Sequence, residues 1–482
     1  MALGLLPRIR GSCLSLLLLL SVCALSCSPS RLERSPLDPA ECSTTPTAHP
    51  QSLSRSSVTR NSQRQGDRPH EGLVLNVLTL REITPNLERH LALFEEESGA
   101  HVIVHGRDFG ELYGQIDVEL RSGENSILDA FIFPPQFLVD FTTRGEFGLE
   151  ALTSRVTSDE RIEWLDIFSF FRRFNSVGLD GQVYTIPLDG DIHALYYRSD
   201  ILARNSLPVP RTWPELLDVA RQLNGQDFND DGIPDYPVCL ARGRRFQAGY
   251  FLLNIAAPYL QRSGTEEGFM FDAQTMEPLV REEGFVRAVE IYMQLREYGP
   301  PLHWNVVEVM EYMAAGGCAL APSWANIGPM SRDTRASNFS TWDKMGVSLL
   351  PGTEEVWDRT DKHWIRCSED LSQCPLADTD GVNVAPLAAN GGWAGGIPAA
   401  ISEARRNAAY AFLSFMSSPQ QSNEDVLSGD ALDPYRAGHF HLERWVASGF
   451  SEQAARNQID GWKATLSHPN VAADLRTSGS DE

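Results

Sequence analysis

Between Leu73 and Phe133, short apolar runs typical of strands alternate with apolar residues at helical spacing. Three apolar runs predict buried strands, namely Leu73–Leu80, His101–Gly106 and Leu128–Phe133. A helix is predicted to begin at Thr84-Pro85, because proline in the first turn loses no needed hydrogen bond, and to end at Gly99. Its apolar face carries Leu87, Leu91 and Phe94. Strands that alternate with helices predict a parallel α/β sheet covered by helices.

The middle of the chain continues this alternation. Thr212 and Glu215 form a capping-box pattern at the start of a helix whose apolar residues are Leu216, Leu217, Ala220 and Leu223. Trp213 lies in its first turn and is predicted to be structural. A second helix is predicted over 283–297, and the run 317–322 predicts a strand that ends before Ser323-Trp324.

The N-terminus carries a different apolar pattern. Arg8 and Arg10 precede the twelve-residue run Leu14–Leu25, which is typical of a secretory signal and too short to span a bilayer. The run ends in Ala-Leu-Ser-Cys, which resembles a bacterial lipobox except for alanine at the usual leucine position. The sequence therefore predicts a signal peptide over 1–27 and lipidation of Cys27. Cleavage without lipidation and full secretion is the alternative.

Residues 28–70 are rich in Ser, Pro, Thr, Arg and Gln and carry few large apolar groups. Such a segment cannot bury enough surface to fold, so it is predicted to be a disordered tether. Export implies oxidising conditions, in which Cys367 and Cys374 are plausible disulfide partners across a short acidic loop. Cys239 with Cys318 is a second candidate pair, but the connectivity of Cys42, Cys239 and Cys318 stays open, because spacing does not fix it.

Composition narrows the class of protein. The chain has 482 residues, 22% of them charged, and a net charge of −23. The length predicts two or three domains, and the acidity gives no general attraction to a phosphate backbone. Nucleic acid is therefore not an expected partner.

Four motifs follow one another between residues 196 and 419. They are YYRSDIL (196–202), LPVPRTWPEL (207–216), GGCALAPSWANIG (316–328) and GGWAGGIP (391–398), the last followed by AAYAFLSF (408–415) and Ser417-Ser418-Pro419. In this order they resemble the family 1 extracellular solute-binding proteins, the sugar receptors of ABC importers typified by maltose-binding protein. The resemblance runs from about residue 73 nearly to the end, where the chain stops six residues after Arg476.

The resemblance implies a type II periplasmic-binding-protein fold, the two-lobed Venus flytrap with several hinge crossings. Lobe 1 is expected to comprise 71–187 plus 392–432, and lobe 2 to comprise 188–391 plus 433–482. Crossings are expected near 186–191, 390–396 and 432–434. The implied function is an exported, lipid-anchored and monomeric receptor in the periplasm or at the cell surface. It would close on a sugar or oligosaccharide and pass it to an ABC permease.

Sugars are bound by aromatic faces and by polar groups that meet their hydroxyls. Trp324 and Trp393 are the aromatic candidates, because both lie in segments the family uses for ligand contact; packing is the alternative. Phe133 and Gln136 follow the third strand, and Arg81 and Glu82 follow the first, where α/β proteins bind ligands. The alternative for Arg81 and Glu82 is a solvated turn.

Further candidates come from the expected hinge and from lobe 2. Asp189 and Asp191 flank a glycine at the first crossing, and Asp191 is favoured as the ligand contact. By the resemblance, Phe246, Gln247 and Tyr250 are placed where maltose-type receptors line the second lobe. Arg436 either binds hydroxyls or ties the third crossing.

One motif points to a metal. In DFNDDGIPD, the oxygen-bearing residues Asp227, Asn229, Asp231 and Asp235 with Gly232 match the front of a calcium loop. Position 12 is Val238, which excludes a complete EF-hand. The alternatives are a structural calcium site of the shortened type and an acidic surface turn without metal. No cofactor is expected to be required.

Two rival functions keep part of this interpretation. A secreted carbohydrate-active enzyme would need two placed carboxylates, and no recognisable catalytic motif holds such a pair. No G-x-S-x-G elbow is present. An enzyme is therefore not expected. A ligand-binding sensor that feeds a signalling partner would share the fold, and neighbouring genes for permeases or sensor kinases would separate it from a transporter.

Overall fold

The computed structural model describes residues 68–243, 247–332, 341–388 and 391–473. The predicted signal peptide, its Cys27, almost all of the predicted tether and Phe246 lie outside the described residues.

The described residues form strands and helices that we number in chain order. The strands are β1 (Val74–Leu80), β2 (His101–Arg107), β3 (Ala130–Phe133), β4 (Thr185–Pro187), β5 (Ala194–Arg198), β6 (Tyr236–Val238), β7 (Cys318–Ser323), β8 (Met345–Ser348), β9 (Glu355–Asp358), β10 (His363–Arg366), β11 (Leu387–Ala388), β12 (Ala394–Gly396) and β13 (Ala472–Ala473).

The α-helices lie between and after these strands. They are α1 (Thr84–Ser98), α2 (Phe109–Arg121), α3 (Leu138–Thr142), α4 (Thr153–Ser158), α5 (Ser169–Phe174), α6 (Ser199–Arg204), α7 (Trp213–Leu223), α8 (Gln247–Leu260), α9 (Glu283–Leu295), α10 (Val306–Ala314), α11 (Ile327–Met330), α12 (Glu403–Met416), α13 (Pro419–Ser428), α14 (Leu442–Ala447) and α15 (Glu452–Leu466). No helix in the described ranges is both long and apolar enough to cross a bilayer.

Local sequence signals fix several of these elements. Helix α1 begins at Thr84, and Gly99 ends it in the left-handed region at φ 81°. Helix α7 has its complete capping box, in which the Thr212 side chain accepts from the Glu215 N–H and the Glu215 carboxylate accepts from the Thr212 N–H. Trp213 is fully buried, as predicted for a structural residue.

The first sheet has the strand order β2-β1-β3-β12-β4. Strands β1, β2 and β3 are parallel, as the strand–helix alternation predicts. Strand β12 is antiparallel to both of its neighbours, so the prediction of a purely parallel sheet is corrected. The physical reason is that β12 enters this sheet from the other lobe, more than 200 residues after β4 in the chain.

The second sheet has the order β6-β7-β5-β8, and two small ribbons pair β9 with β10 and β11 with β13. The chain leaves the first sheet after β4, returns to it at β12, and ends with α14, α15 and β13. Helix α15 packs on β8 and β5 of the second sheet. The architecture is therefore a two-lobed α/β fold, in which the first sheet lies in lobe 1 and the second in lobe 2. The residue bounds of the lobes stay a prediction.

Two disulfides tie lobe 2 together. Cys367 and Cys374 are bonded with their Cα atoms 5.5 Å apart, as the acidic loop predicts. Cys239 and Cys318 are also bonded, with a Cα–Cα distance of 5.9 Å. This second bond joins the end of β6 to the start of β7, which are adjacent strands. It settles the pairing that spacing left open for these two cysteines.

Candidate functional site

The passages between the two sheets meet at one buried point. The Leu188 N–H donates to the Trp393 carbonyl at 2.9 Å, and the Asp433 N–H donates to Asp189 Oδ1 at 2.5 Å. Gly392 has φ 90°, and a Cβ built on it would lie 2.3 Å from the Asp189 carbonyl oxygen. Only glycine fits this backbone approach. The glycines around Trp393 therefore let the second passage lie directly against the first.

Two buried carboxyl groups form the centre of this hinge. Asp189 and Asp433 are both fully buried, and burial raises the pKa of Asp189 to about 7. Burial and the nearby Asp189 charge also raise the pKa of Asp433 well above its ordinary value. Asp433 Oδ2 accepts from the Ala325 N–H at 2.9 Å, which links the hinge to the residue after Trp324. The other oxygen of each carboxyl group has no hydrogen-bond donor within the described part of the chain.

A cavity of about 500 Å³ lies beside the hinge and between the lobes. Lobe 1 lines it with residues that include Glu82, Asp108, Phe109, Trp393 and Asp430. Lobe 2 contributes, among others, Asp191, Asn305, Met310, Trp324, Asn326 and Met330. Its size falls in the range of small-molecule sites, and its walls are apolar and aromatic with a few polar groups. A solute in this cavity would touch both lobes.

Trp393 and Trp324 reach this cavity from opposite lobes. Trp393 stands immediately before β12 and is 5% exposed, with its ring edge-on to Phe109 at 6.2 Å between centroids. Trp324 follows β7 and is 7% exposed. The structure thus brings together the two aromatic side chains that the sequence singled out.

The Trp324 ring is held by a polar and aromatic support. His193 lies edge-on to it at 4.2 Å between centroids and stacks on Phe251 at 5.3 Å. His193 Nδ1 is 2.8 Å from Asn254 Oδ1. Burial lowers the pKa of His193 to about 4, so the imidazole is neutral at pH 7. A neutral, hydrogen-bonded ring fixes the orientation of the indole without adding charge to the cavity.

Two of the predicted polar contacts lie in the same cavity wall. Asp191 lines the cavity and is 6% exposed, whereas Asp189 is fully buried in the hinge. The ligand contact of Asp191 stays a prediction. Glu82 is exposed and lines the cavity from lobe 1. Its neighbour Arg81 instead pairs with Asp108 at 3.0 Å, with both side chains largely exposed.

Gln136 and Tyr250 meet each other across the lobes. The Tyr250 hydroxyl donates to Gln136 Oε1 at 3.2 Å, which joins helix α8 of lobe 2 to the turn after β3. The Tyr250 ring also lies 6.3 Å from the Trp324 ring. Gln247 begins α8. The two lobes therefore touch beside the Trp324 ring, but Gln136 and Tyr250 are not among the residues that line the cavity.

Phe133 and Arg436 lie elsewhere. Phe133 is fully buried and packs edge-on against Phe141, so the structure places it in the core of lobe 1 rather than in the cavity wall. The reason is that a strand directs successive side chains to opposite faces, and this ring falls on the packed face. Arg436 is fully buried and donates to the carbonyls of Ile162 and Ser417. It ties the third passage to lobe 1, which is the second of its two predicted roles.

Sequence reasoning missed several residues of the wall. Asp108 and Phe109 follow β2, so the strand-end rule that selected Glu82 would have found them. Asn305 carries a capping-box pattern with Glu308, which predicts a helix start and no ligand. Asp430 and Met330 come together only through the contact of α11 with α13, for which the local sequence holds no signal.

The acidic loop proposed for calcium uses its carboxylates internally. Asp227 accepts from the N–H groups of Asn229, Asp231 and Gly232, and Asp235 accepts from the Tyr312 hydroxyl at 2.6 Å. Among the described residues, no group of three or more His, Cys, Asp or Glu side chains is arranged to hold a metal ion. The calcium site stays a prediction, and the surface-turn alternative accounts for these hydrogen bonds.

A larger and more open groove of about 1050 Å³ lies away from the hinge. Arg161, Glu424 and Arg444 line it together with Phe415 and Leu427. It contains neither tryptophan of the interlobe cavity and none of the predicted contacts. We therefore take the smaller cavity between the lobes as the candidate site.

A hinged two-lobed fold with an aromatic cavity between the lobes is the architecture of a solute-binding protein. The sequence profile of the bacterial extracellular solute-binding protein family matches residues 91–432, more than half of the chain. The chain belongs to this family of binding proteins.

Solved structures share this fold at low identity. A solute-binding protein of an ABC transporter from Agrobacterium radiobacter K84, in complex with ribitol, has a TM-score of 0.63 and 19% identity, covering 84% of this chain and 90% of that one. Maltose-bound MalE3 of T. maritima has a TM-score of 0.62 and 16% identity, covering 85% and 92%.

A curated relative is similar over a short segment. The putative ABC transporter periplasmic-binding protein YcjN of Escherichia coli K12 is 44% identical over 55 residues, which is 11% of this chain and 13% of that protein. The match therefore spans about an eighth of the length of that relative.

Proposed function

We propose that this protein binds a sugar or polyol between its lobes and delivers it to the permease of an ABC importer. The observation that carries the proposal is the placement of Trp324 and Trp393, one from each lobe, in the wall of one cavity. An indole presents a flat apolar face that fits the C–H face of a sugar or polyol. The flanking carboxyl and amide oxygens accept hydrogen bonds from the hydroxyl groups of the ligand.

Closure of the hinge would couple binding to delivery. A ligand that touches Phe109 and Trp393 of lobe 1 and Trp324 and Asn326 of lobe 2 gains its full set of contacts only when the lobes are close. Its differential affinity for the closed form shifts the population toward that form. The permease would then recognise the closed receptor.

The fold neighbours support the proposed ligand class. Those two structures hold ribitol and maltose, a polyol and a disaccharide. A cavity of about 500 Å³ accommodates molecules of this size. Binding without turnover is proposed, because the family consists of binding proteins.

A thermal-shift screen of the full-length protein tests this function. Pentitols, hexitols and mono- to tetrasaccharides would be added with and without calcium, and amino acids would serve as the control class. A ligand that binds only the native state stabilises it by about 2.7 kcal/mol at a hundredfold excess over Kd. We expect a clear rise in Tm with one sugar or polyol, which chromatography recovers unchanged. A rise only with amino acids would refute the ligand class, and consumption of the sugar would identify an enzyme.

We propose further that Cys27 anchors the receptor to the membrane by a lipid. The proposal rests on the apolar run Leu14–Leu25 followed by the lipobox-like end. In bacteria that export the protein, wild type is expected to fractionate with membranes and Cys27→Ser with the soluble exported fraction. Cys42→Ser, at a cysteine beyond the cleavage site, is the matched control and should stay with membranes. Identical fractionation of wild type and Cys27→Ser would contradict the anchor.

A sensor that feeds a signalling partner is the second candidate function. It shares the cavity and the hinge closure and differs only in the protein that recognises the closed form. Uptake of the identified ligand in cells with and without this gene separates the two, since loss of uptake requires a transport role.

A further inference from the structure

The charged residues that line the interlobe cavity are all acidic. Glu82, Asp108, Asp191 and Asp430 contribute four carboxyl groups, and the described lining residues include no lysine or arginine. Two carboxyl groups come from lobe 1 next to β1 and β2, one from the hinge, and one from the segment after α13. The acidic character therefore surrounds the cavity and is not confined to one of its edges.

Two arginines outside the lining form ion pairs with carboxyl groups of this wall. Asp108 pairs with Arg81, and Asp430 pairs with Arg89. Arg89 also pairs with Asp425, so Asp430 shares this cation. Glu82 has no ion pair with a described residue. The Arg81–Asp108 pair is largely exposed, so solvent screens it. A ligand in the cavity thus meets an excess of acidic groups.

The aromatic residues of the wall also favour cations over anions. The indole faces of Trp324 and Trp393 attract cations through the negative face of the ring. They offer nothing to an anion, which would lose water on entering and find no cationic partner in the described wall. A hydroxyl or an ammonium group can instead donate to the carboxyl groups.

We infer that this cavity selects its ligand by charge: it accepts neutral and amino-bearing polyhydroxylated compounds and rejects those that carry a carboxylate or phosphate. The inference rests on the proposed function and narrows its ligand class. It makes Glu82 a specificity-determining residue, because this carboxylate is the unpaired charge in the lobe 1 wall.

Calorimetric titration at pH 7 with backbone-matched probes tests the inference on the full-length protein. One set of probes is sorbitol, glucamine and gluconate. The other set is glucose, glucosamine and glucuronic acid, each as the monosaccharide and as its β-1,4-linked dimer and trimer. We expect a neutral probe to bind, its amino counterpart to bind at least as tightly, and its acidic counterpart to bind at least tenfold more weakly. Added salt should narrow this gap, because it screens charge.

The outcomes separate the two proposals. An acidic probe that binds as tightly as its neutral counterpart, or that alone binds, overturns charge selection while the receptor function stands. Binding by none of the probes counts against both the sugar-receptor proposal and the inference.

A pair of variants assigns the selection to the cavity. Glu82→Gln should reduce the neutral-to-acidic affinity ratio at least threefold, because it removes the unpaired carboxylate. Glu88→Gln is the matched control: it removes an exposed carboxylate from helix α1, outside the cavity wall, and should leave the ratio unchanged. An equal ratio in wild type and Glu82→Gln, or an equal fall in both variants, would assign the effect to the net charge of −23 and overturn the inference.

Discussion

Replacing Asp433 with asparagine is expected to make the protein more stable than wild type at pH 8, by on the order of 5 °C in Tm. Asp189 and Asp433 are buried together at the hinge, and each has an oxygen without a donor in the described part of the chain. When both ionise, two desolvated negative charges face each other. An asparagine amide removes one charge and offers an N–H to the other carboxylate.

The direction in which stability changes with pH follows from proton binding. Burial raises the pKa of folded Asp189 to about 7, whereas the pKa of an unfolded aspartate is about 4. The folded state therefore holds more protons between these values, and stability falls as pH rises through this window. A shift of this size corresponds to about 4 kcal/mol. The difference in Tm between Asp433→Asn and wild type should grow steadily from pH 5 to pH 8.

The same comparison controls for other titrating groups. Burial lowers the pKa of His193 and of His439, and these histidines add stability as pH rises toward 6.5 in both proteins. Their contribution cancels in the difference. Asp129→Asn is the control variant: Asp129 is also fully buried but pairs with Arg405 at 2.5 Å, so its loss should lower Tm at every pH tested. A Tm difference for Asp433→Asn that does not change with pH would contradict the account.

Local signals along the chain predicted the bounds of several helices in both lobes. The apolar period and the Thr84-Pro85 start gave helix α1 its observed beginning, and Gly99 gave its end. The capping box predicted the start of α7. These features are determined by neighbouring residues, so a sequence pattern contains the information that fixes them.

Pairings between distant segments could not be obtained in this way. Strands β1, β2 and β3 are parallel, whereas β12 is antiparallel to β3 because it enters the sheet from the other lobe. The Asp189–Asp433 contact joins residues 244 positions apart. Neither segment alone indicates its partner, and only the family resemblance suggested that they meet at a hinge.

The candidate site was also predicted only in part, because a local sequence does not show which distant segments meet. Trp324, Trp393, Glu82 and Asp191 were selected from motif position and strand ends, and all four line the cavity. For Phe133, the strand-end rule identified the correct edge of the sheet but not the face on which the ring lies.

Single substitution of Trp324 or Trp393 by alanine is expected to weaken ligand binding by about 10- to 100-fold, because each loses an apolar face worth ~1.4–3 kcal/mol. Loss of both should abolish measurable binding, since the two rings approach the cavity from opposite lobes. In the double variant, closure of the lobes would bring no indole against the ligand. Phenylalanine at either position keeps part of the face and should give an intermediate affinity.

Titration calorimetry with the sugar or polyol found in the screen measures these effects, and circular dichroism checks that each variant folds. Trp342→Ala is the matched control, because Trp342 is half-buried against Phe450 and lies outside the cavity wall. It should lower Tm while leaving Kd unchanged. Wild-type affinity in both Trp324→Ala and Trp393→Ala would rule out the aromatic platform. A loss confined to Trp324→Ala would mean that the ligand rests on lobe 2 and that closure over it depends on groups other than the Trp393 indole.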